Sequence, residues 1–243
     1  MAENLFTGPV AERYDLASPD MYAPSVLEPA VSFLADAARV GTALELGIGT
    51  GRVALPLHRR GVEVHGIDIS ADMVAQLRAK PGSDAIAVTI GDFATTRLPG
   101  TFSLVYLVYN TISNLTTQDE QVACFRNAAR HLIPGGRFVV ELWVPDLQRL
   151  PPGAVALPLE VSPTHLGFDE IDVATQRGVS HHYFITGDRV ARFDTPYRYV
   201  WPAELDLMAR IAGLEPKERW ADWDRSPFTS QSRKHISVWE RPT

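Results

Sequence analysis

Cysteine is nearly missing from this chain. Cys124 is the only one in 243 residues, so no internal disulfide can form and the fold must stand on packing. Cys124 lies in a helical pattern, where a packing role explains it better than nucleophilic chemistry. Lysine is scarce as well, limited to Lys80, Lys217 and Lys234, and the net charge is −6. A broad basic surface for nucleic acid is therefore not expected. No apolar run is long enough to cross a bilayer. The first residues show no basic stretch followed by an apolar one, so no secretory leader is expected. The expected setting is the cytoplasm. No His/Cys cluster stands at metal-ligand spacing, so no metal is expected. Internal repeats and low-complexity segments are also absent.

What remains has ordinary globular composition, 45% apolar, and is long enough for one domain with an insertion. Its centre is Thr42-Ala-Leu-Glu-Leu-Gly-Ile-Gly-Thr-Gly51, a short apolar strand running into a glycine-rich turn. Arg52–Leu57 then reads as the start of a helix. A strand, a tight glycine turn and a helix start form a cradle for a nucleotide-like ligand. Gly47 and Gly49 leave room for close approach because no Cβ intervenes. Glu45 is the unusual member. An acid at this place repels a diphosphate and attracts a cation.

The pattern around this centre alternates strand and helix. A short helix around Val10–Leu16 precedes a helix from Val26 to about Ala38 capped by Ser25. Strands follow at Ala43–Leu46, Val62–Asp68, Ala85–Ile90, Phe102–Tyr109 and Arg137–Val144, the last after a Pro134-Gly-Gly136 turn. Ser70 caps a helix over Ala71–Ala79. Thr117 and Glu120 make a capping box, before a helix with Val122, Phe125, Ala129 and Leu132 on one side. Such alternation predicts a parallel doubly wound sheet. From Val155 to Val200 the pattern changes to short β-type stretches, Val155–Val161, Gly167–Val173, Val179–Thr186 and Arg189–Val200, with a hairpin turn at Gly187-Asp188. A helix opens at Pro202 with Leu205, Met208 and Ile211 on one face. Glu215–Trp220 and His235–Glu240 are too close in sequence for a helical crossover and should pair antiparallel. The divisions are then a helical lid segment (1–40), an α/β cofactor core (41–150), an antiparallel β insert (151–200) and a helix with a strand pair completing the core (201–243).

Acidic residues stand at or just after the ends of the first three strands: Glu45, Asp68 and Asp92. In an open α/β sheet those ends border the ligand crevice. Asp68 is placed to accept from two ribose hydroxyls, and Asp92 from the exocyclic amine of a base beside Phe93. The ligand so described has a ribose, an amino-bearing base and no polyphosphate. The motifs Glu45-Leu-Gly-Ile-Gly-Thr-Gly51, Gly66-Ile-Asp68, Gly91-Asp92-Phe93 and Pro134-Gly-Gly136, in this order and spacing, resemble those of the class I S-adenosylmethionine-dependent methyltransferases. The resemblance covers roughly residues 40–145. It implies a Rossmann-like doubly wound sheet of seven strands with the last strand antiparallel, here with the small antiparallel insert before the last helix. It implies S-adenosylmethionine as cofactor and S-adenosylhomocysteine as product. By the same resemblance, Gly47 and Gly49 would meet the methionine part, Asp68 the ribose, and Asp92, Phe93, Ile69 and Met73 the adenine. Backbone near Tyr109 and Asn110 would lie beside the sulfonium. In layout the chain is similar to amino-sugar N-methyltransferases of antibiotic biosynthesis, and that likeness implies that Tyr14 and Tyr22 cover the cofactor.

The acceptor expected is a small organic metabolite methylated on N or O, with neither nucleic acid nor membrane as partner. The insert either covers that acceptor or forms a homodimer surface. No general base is evident. His181 and His182 are the candidates for an oxygen acceptor, and Tyr14 is the candidate aromatic beside the sulfonium; because adjacent strand residues face opposite ways, at most one of the two histidines is expected to point into a pocket. The rival reading is an NADP-dependent oxidoreductase, since Gly49-Thr-Gly51-Arg-Val-Ala54 satisfies a G-x-G-x-x-A fingerprint. Against it stand Glu45 and the lack of any Tyr-x-x-x-Lys pair. A non-catalytic cofactor binder of the same fold is the third reading.

Overall fold

A computed structural model describes residues 4–17, 19–39 and 41–243. The predicted lid segment thus includes positions, 1–3, 18 and 40, that lie outside the described residues. Helix α1 (Pro9–Ala17) leads through a turn of 3₁₀ helix to α2 (Pro24–Ala38). The cap of α2 is Ala23 with Pro24 at the first helical position, not Ser25. Proline suits that place because its missing N–H has no partner there. Then come β1 (Thr42–Leu46), α3 (Ala54–Arg59), β2 (Glu63–Asp68), α4 (Ala71–Arg78), β3 (Ala87–Ile90), β4 (Phe102–Leu107), α5 (Gln118–His131) and β5 (Leu132–Trp143). Ser70 accepts the Met73 N–H at 3.2 Å and starts α4, and the Thr117–Glu120 capping box starts α5.

The core sheet has seven strands. Its order places β3, β2, β1, β4 and β5 side by side in parallel, followed by β11 (Lys234–Glu240) and β10 (Glu215–Trp220). β11 runs antiparallel to both β5 and β10. The chain winds outward from β1 in one direction through β2 and β3, and in the other through β4 and β5. Between β1 and β4 the winding reverses, which opens a crevice at the carboxyl ends of those strands. One face of the sheet packs on α2 and α3 with Phe33, Leu34, Leu57 and Trp223, the other on α5 and α6 (Pro202–Ile211) with Phe125, Phe138, Met208 and Trp239. β1 and β4 are covered on both sides; β4 is accordingly almost wholly apolar, while β1 buries Glu45 among its apolar residues.

The insert forms a separate four-stranded antiparallel sheet, β6 (Ala156–Val161), β7 (His165–Asp172), β8 (Arg177–Thr186) and β9 (Arg189–Arg198), in simple up-and-down order. Gly187 takes φ +59 in the β8–β9 hairpin. Arg198 anchors the base of this sheet. Its buried guanidinium donates to Gln121 of α5 at 2.6 Å and to Glu204 of α6 at 2.7 Å.

Several expectations shift. The buried side of α5 is Gln121, Cys124, Phe125 and Ala128, rotated from the predicted Val122–Ala129 face because Gln121 is drawn inward by Arg198. Ile211 is exposed and Ala209 takes its place in the core. Pro134–Gly136 lies within β5, as an irregularity in its pairing with β4. The fourth strand stops at Leu107, because Tyr109 and Asn110 turn into left-handed backbone. No helix among the described residues is long and apolar enough to cross a membrane.

Candidate active site

The crevice holds a cavity whose floor is the turn after β1. Gly47 and Gly49 adopt φ +73 and +53. A Cβ on Gly47 would come within 2.5 Å of the Thr111 methyl, so the position admits only glycine without rearrangement. The N–H groups of Gly47 and Ile48 both donate to the Ile67 carbonyl, at 2.8 and 3.1 Å. This leaves the turn's upper face free for a ligand.

Asp68, ending β2, is locked across the floor. Its Oδ2 accepts the Gly49 N–H at 2.7 Å and its Oδ1 the Ser70 N–H at 2.8 Å. Burial raises its pKa, opposed by those two N–H groups. Each oxygen keeps a lone pair for a further donor. Glu45 is deeper, 3% exposed, and accepts the Tyr106 hydroxyl at 2.9 Å. Burial pushes its carboxyl up to about 8, while that hydroxyl and the nearby Arg52 act the other way. Ile69, Met73 and Phe93 give one apolar side of the cavity, and Tyr14, Arg52 and Tyr109 form part of the other. The Arg52 guanidinium stands 5.5 Å from the Tyr109 ring centre. Burial, helped by Tyr109, pushes the Tyr14 phenol up to about 12, so its proton stays in place at neutral pH.

The N-terminal segment crosses over this cavity. Phe6 meets Tyr14 edge to face at 5.8 Å, and both line the wall. The crossing is tied down at three points. The Ser70 hydroxyl donates to the Phe6 carbonyl. The Gly8 N–H donates to Asp72 at 2.7 Å. Asp15 pairs with Lys80 at 2.5 Å and accepts the Thr50 and Tyr22 hydroxyls. Burial would raise the Asp15 pKa, but those three donors hold it below the usual range.

Of the residues singled out in sequence, Tyr14, Glu45, Gly47, Gly49, Asp68, Ile69, Met73, Phe93 and Tyr109 line this cavity. Tyr22, Asp92 and Asn110 do not. Tyr22 braces the crossing segment through Asp15 and Thr50. Asp92 accepts the Ala94 N–H at 2.8 Å and closes its own turn. Asn110 accepts the Trp143 N–H at 2.8 Å. His181 and His182 lie in the insert. His181 pairs with Asp194 at 2.8 Å, and His182 shares a hydrogen bond with His165 at 2.9 Å. Neither histidine lines the cavity; cross-strand partners occupy both rings. Phe6, Arg52, Thr111 and Asn114 do line it and were not singled out. Arg52, directly after Gly51, had a local signal; the other three reach the wall through long-range folding. A second cavity lies across Tyr109, bounded by Glu141, Trp143, Trp223 and Lys234, and shares Arg52, Val53, Val108 and Tyr109 with the first.

The donor set suits a nucleoside with a cationic, zwitterionic tail. Asp68 is an acceptor for hydroxyls, the Ile69–Met73–Phe93 side fits a flat base, and the Arg52 guanidinium and the Glu45 carboxyl, which a cation can ionise, stand beside a backbone that only glycine can supply. A family model described as a methyltransferase domain matches residues 43–136. The cypemycin N-terminal methyltransferase of a Streptomyces species is 31% identical over 203 residues, 82% of this chain and 83% of that protein. The solved structure of the CcbJ methyltransferase from Streptomyces caelestis superposes with a TM-score of 0.81 at 40% identity, covering 88% of this chain and 89% of that one. A structure of CalS10 with bound SAM, an amino pentose methyltransferase from Micromonospora echinaspora, shares the fold at 21% identity, with a TM-score of 0.70 over 99% of this chain and 100% of that one. The glycine turn, the placed acids and these likenesses agree: the chain belongs to the S-adenosylmethionine-dependent methyltransferases.

Proposed function

We propose that the protein methylates an amine of a small organic natural product, and that it works by orientation. The observation that carries this is the lining of the first cavity. It holds no histidine and no lysine among the described residues, its Tyr14 phenol keeps its proton, its Glu45 carboxyl accepts the Tyr106 hydroxyl, and its Asp68 carboxylate accepts the Gly49 and Ser70 N–H groups. A hydroxyl acceptor needs a base within reach, whereas a neutral amine attacks without one. The relative named for the N-terminus of cypemycin supports an amine acceptor.

The bound cofactor supplies an activated methyl group on a sulfonium. In this reading Asp68 holds the ribose hydroxyls, Ile69, Met73 and Phe93 pack on the adenine, and the Gly47–Gly49 backbone with Glu45 and Arg52 receives the methionine end. Tyr14 turns its ring toward the cation, an attraction on the order of 0.5–2 kcal/mol. Tyr109 walls the transfer site. Tyr22, Asp92 and Asn110 act one step back, through the contacts described above. Holding amine and methyl in line contributes several kcal/mol, up to roughly 7–11 in favourable cases. Residues 1–40 serve as the lid, 41–150 and 201–243 as the cofactor core, and 151–200 as the acceptor cover, all in a cytoplasmic setting.

Asp68→Ala is expected to weaken S-adenosylhomocysteine binding at least about 100-fold by calorimetry, since hydrogen bonds to a charged partner are the strong ones. Wild-type affinity would remove Asp68 from the cofactor site. His181→Ala and His182→Ala should bind the same ligand as wild type and turn over at most modestly more slowly. The reaction itself is tested with tritiated S-adenosylmethionine against small peptides with free N-termini, amino sugars and their hydroxyl-only counterparts. Label on amines alone supports the reading, and label on hydroxyl compounds alone overturns it.

A further inference from the structure

Tyr109 and Asn110 are consecutive residues with side chains, yet both take left-handed backbone, at φ +53 and +60. That conformation is disfavoured by the clash of Cβ with the backbone and persists only where surroundings enforce it. The enforcing element is β5. The Glu141 carboxylate accepts the Tyr109 N–H at 2.8 Å. The Glu141 carbonyl accepts the Asn110 N–H at 3.3 Å. The Asn110 side chain in turn accepts the Trp143 N–H at 2.8 Å. Three bonds thus fasten two residues.

The other carboxylate oxygen of Glu141 is also engaged. It accepts the Trp223 indole N–H at 3.0 Å and lies 3.6 Å from the Lys234 ammonium, which pairs with Asp222 at 2.7 Å. Glu141 is buried. Burying a carboxylate is costly unless its oxygens are satisfied, and an apolar residue would fill an interior strand position without that cost. The use made of the charge is to grip backbone. The backbone it grips carries the Tyr109 ring, the wall common to both cavities, with the Arg52 guanidinium over it.

We propose that Glu141 is a positioning residue for methyl transfer: it fixes the left-handed Tyr109–Asn110 turn, and so the wall of the transfer site, through the Tyr109 N–H. The consequence for ligand affinity rests on the reading of the first cavity as the cofactor site; the grip itself does not. Glu141→Gln keeps the size but turns one oxygen into a donor. That donor then faces an N–H or an ammonium group, so the side chain must give up part of the grip. Two readouts separate positioning from general support. In ligand-free protein, hydrogen exchange of the Tyr109 amide should accelerate at least about tenfold while amides of β4 and β5 stay near wild type. By calorimetry, S-adenosylhomocysteine affinity should fall about tenfold, as expected for loss of one bond to a charged acceptor.

Unchanged Tyr109 exchange in folded Glu141→Gln and also in folded Glu141→Leu, which offers that N–H no acceptor in either orientation, overturns the proposal. Faster exchange with unchanged affinity also overturns it, since the grip would then not reach the site. If Glu141→Gln does not fold, the same turn is approached from Asn110. Asn110→Ala should bind S-adenosylhomocysteine less tightly than Asn110→Gly, because only glycine takes positive φ freely; equal, wild-type-like affinities overturn the proposal. Should wild type itself fail to bind S-adenosylhomocysteine, the cofactor reading falls, and the exchange measurement alone decides the grip.

Discussion

Glu45 lies beneath the glycine turn with its carboxyl pushed up to about 8 by burial. It is therefore mostly protonated at neutral pH until a positive charge arrives. A cationic ligand over the turn should favour its ionised form, so binding near pH 7 should release a proton from the protein. Calorimetry of S-adenosylmethionine binding in buffers of different ionisation enthalpy measures this release. Release of no proton would place the positive charge away from Glu45. With Glu45→Gln the release should vanish. Glu45 is also a residue whose oddity was legible in sequence, because an acid beside a glycine turn conflicts with a diphosphate. Its partner Tyr106 was not, since nothing local says that the tyrosine of a neighbouring strand points the same way. Asp92 shows the converse: one of its carboxylate oxygens accepts the Ala94 N–H within its own turn, a local bond that its position after a strand does not reveal.

Among the elements, the segment crossing the cavity is the one held by replaceable contacts. The Asp15–Lys80 pair is about one-third exposed on the Asp15 side and one-quarter on the Lys80 side, so solvent screens it and its worth is on the order of 1 kcal/mol. Lys80→Met should accelerate S-adenosylhomocysteine release about three- to tenfold in stopped-flow measurements, with the melting temperature within about 3 °C of wild type. An unchanged release rate would show that ligands bypass the crossing. Elements were read from sequence most faithfully where pattern and cap agree, as in α4 with Ser70 and α5 with its capping box. Elsewhere a distant partner decides what the local pattern does not show. Gln121 turns the face of α5 toward Arg198, 77 residues away, and Ile211 is left outside because Ala209 fits the space beside the core strands. Phe6 belongs to the cavity for the same kind of reason: its place follows from the Ser70 and Asp72 tethers, which no spacing rule reveals.

For the whole molecule, two buried groups set opposite limits on stability. His235 in β11 is buried, with its pKa lowered from 6.5 to about 3, chiefly by burial. The unfolded chain takes up a proton first, so this contribution is present above about pH 6.5 and is lost as pH falls toward 3. Its full size is on the order of a few kcal/mol. Glu45 acts in the other direction. Its folded pKa is raised, so the folded state holds the proton longer and stability declines as pH rises from about 4.5 through 8. The two slopes oppose each other between about pH 4.5 and 6.5, so a ligand-free melting profile should be broad there and fall on either side. His235→Leu should flatten the acid limb; a limb of wild-type steepness would assign acid unfolding to other groups. The sheet's strand order has a consequence for how the chain is made. β10 belongs to the sheet only through β11, which fills the gap between it and β5. On the ribosome β10 emerges with no neighbour to join, and its edge waits until residues 234–240 have cleared the exit tunnel. Half of the molecule can thus wind around β1 during synthesis, while closure of this side must follow the appearance of its interior strand.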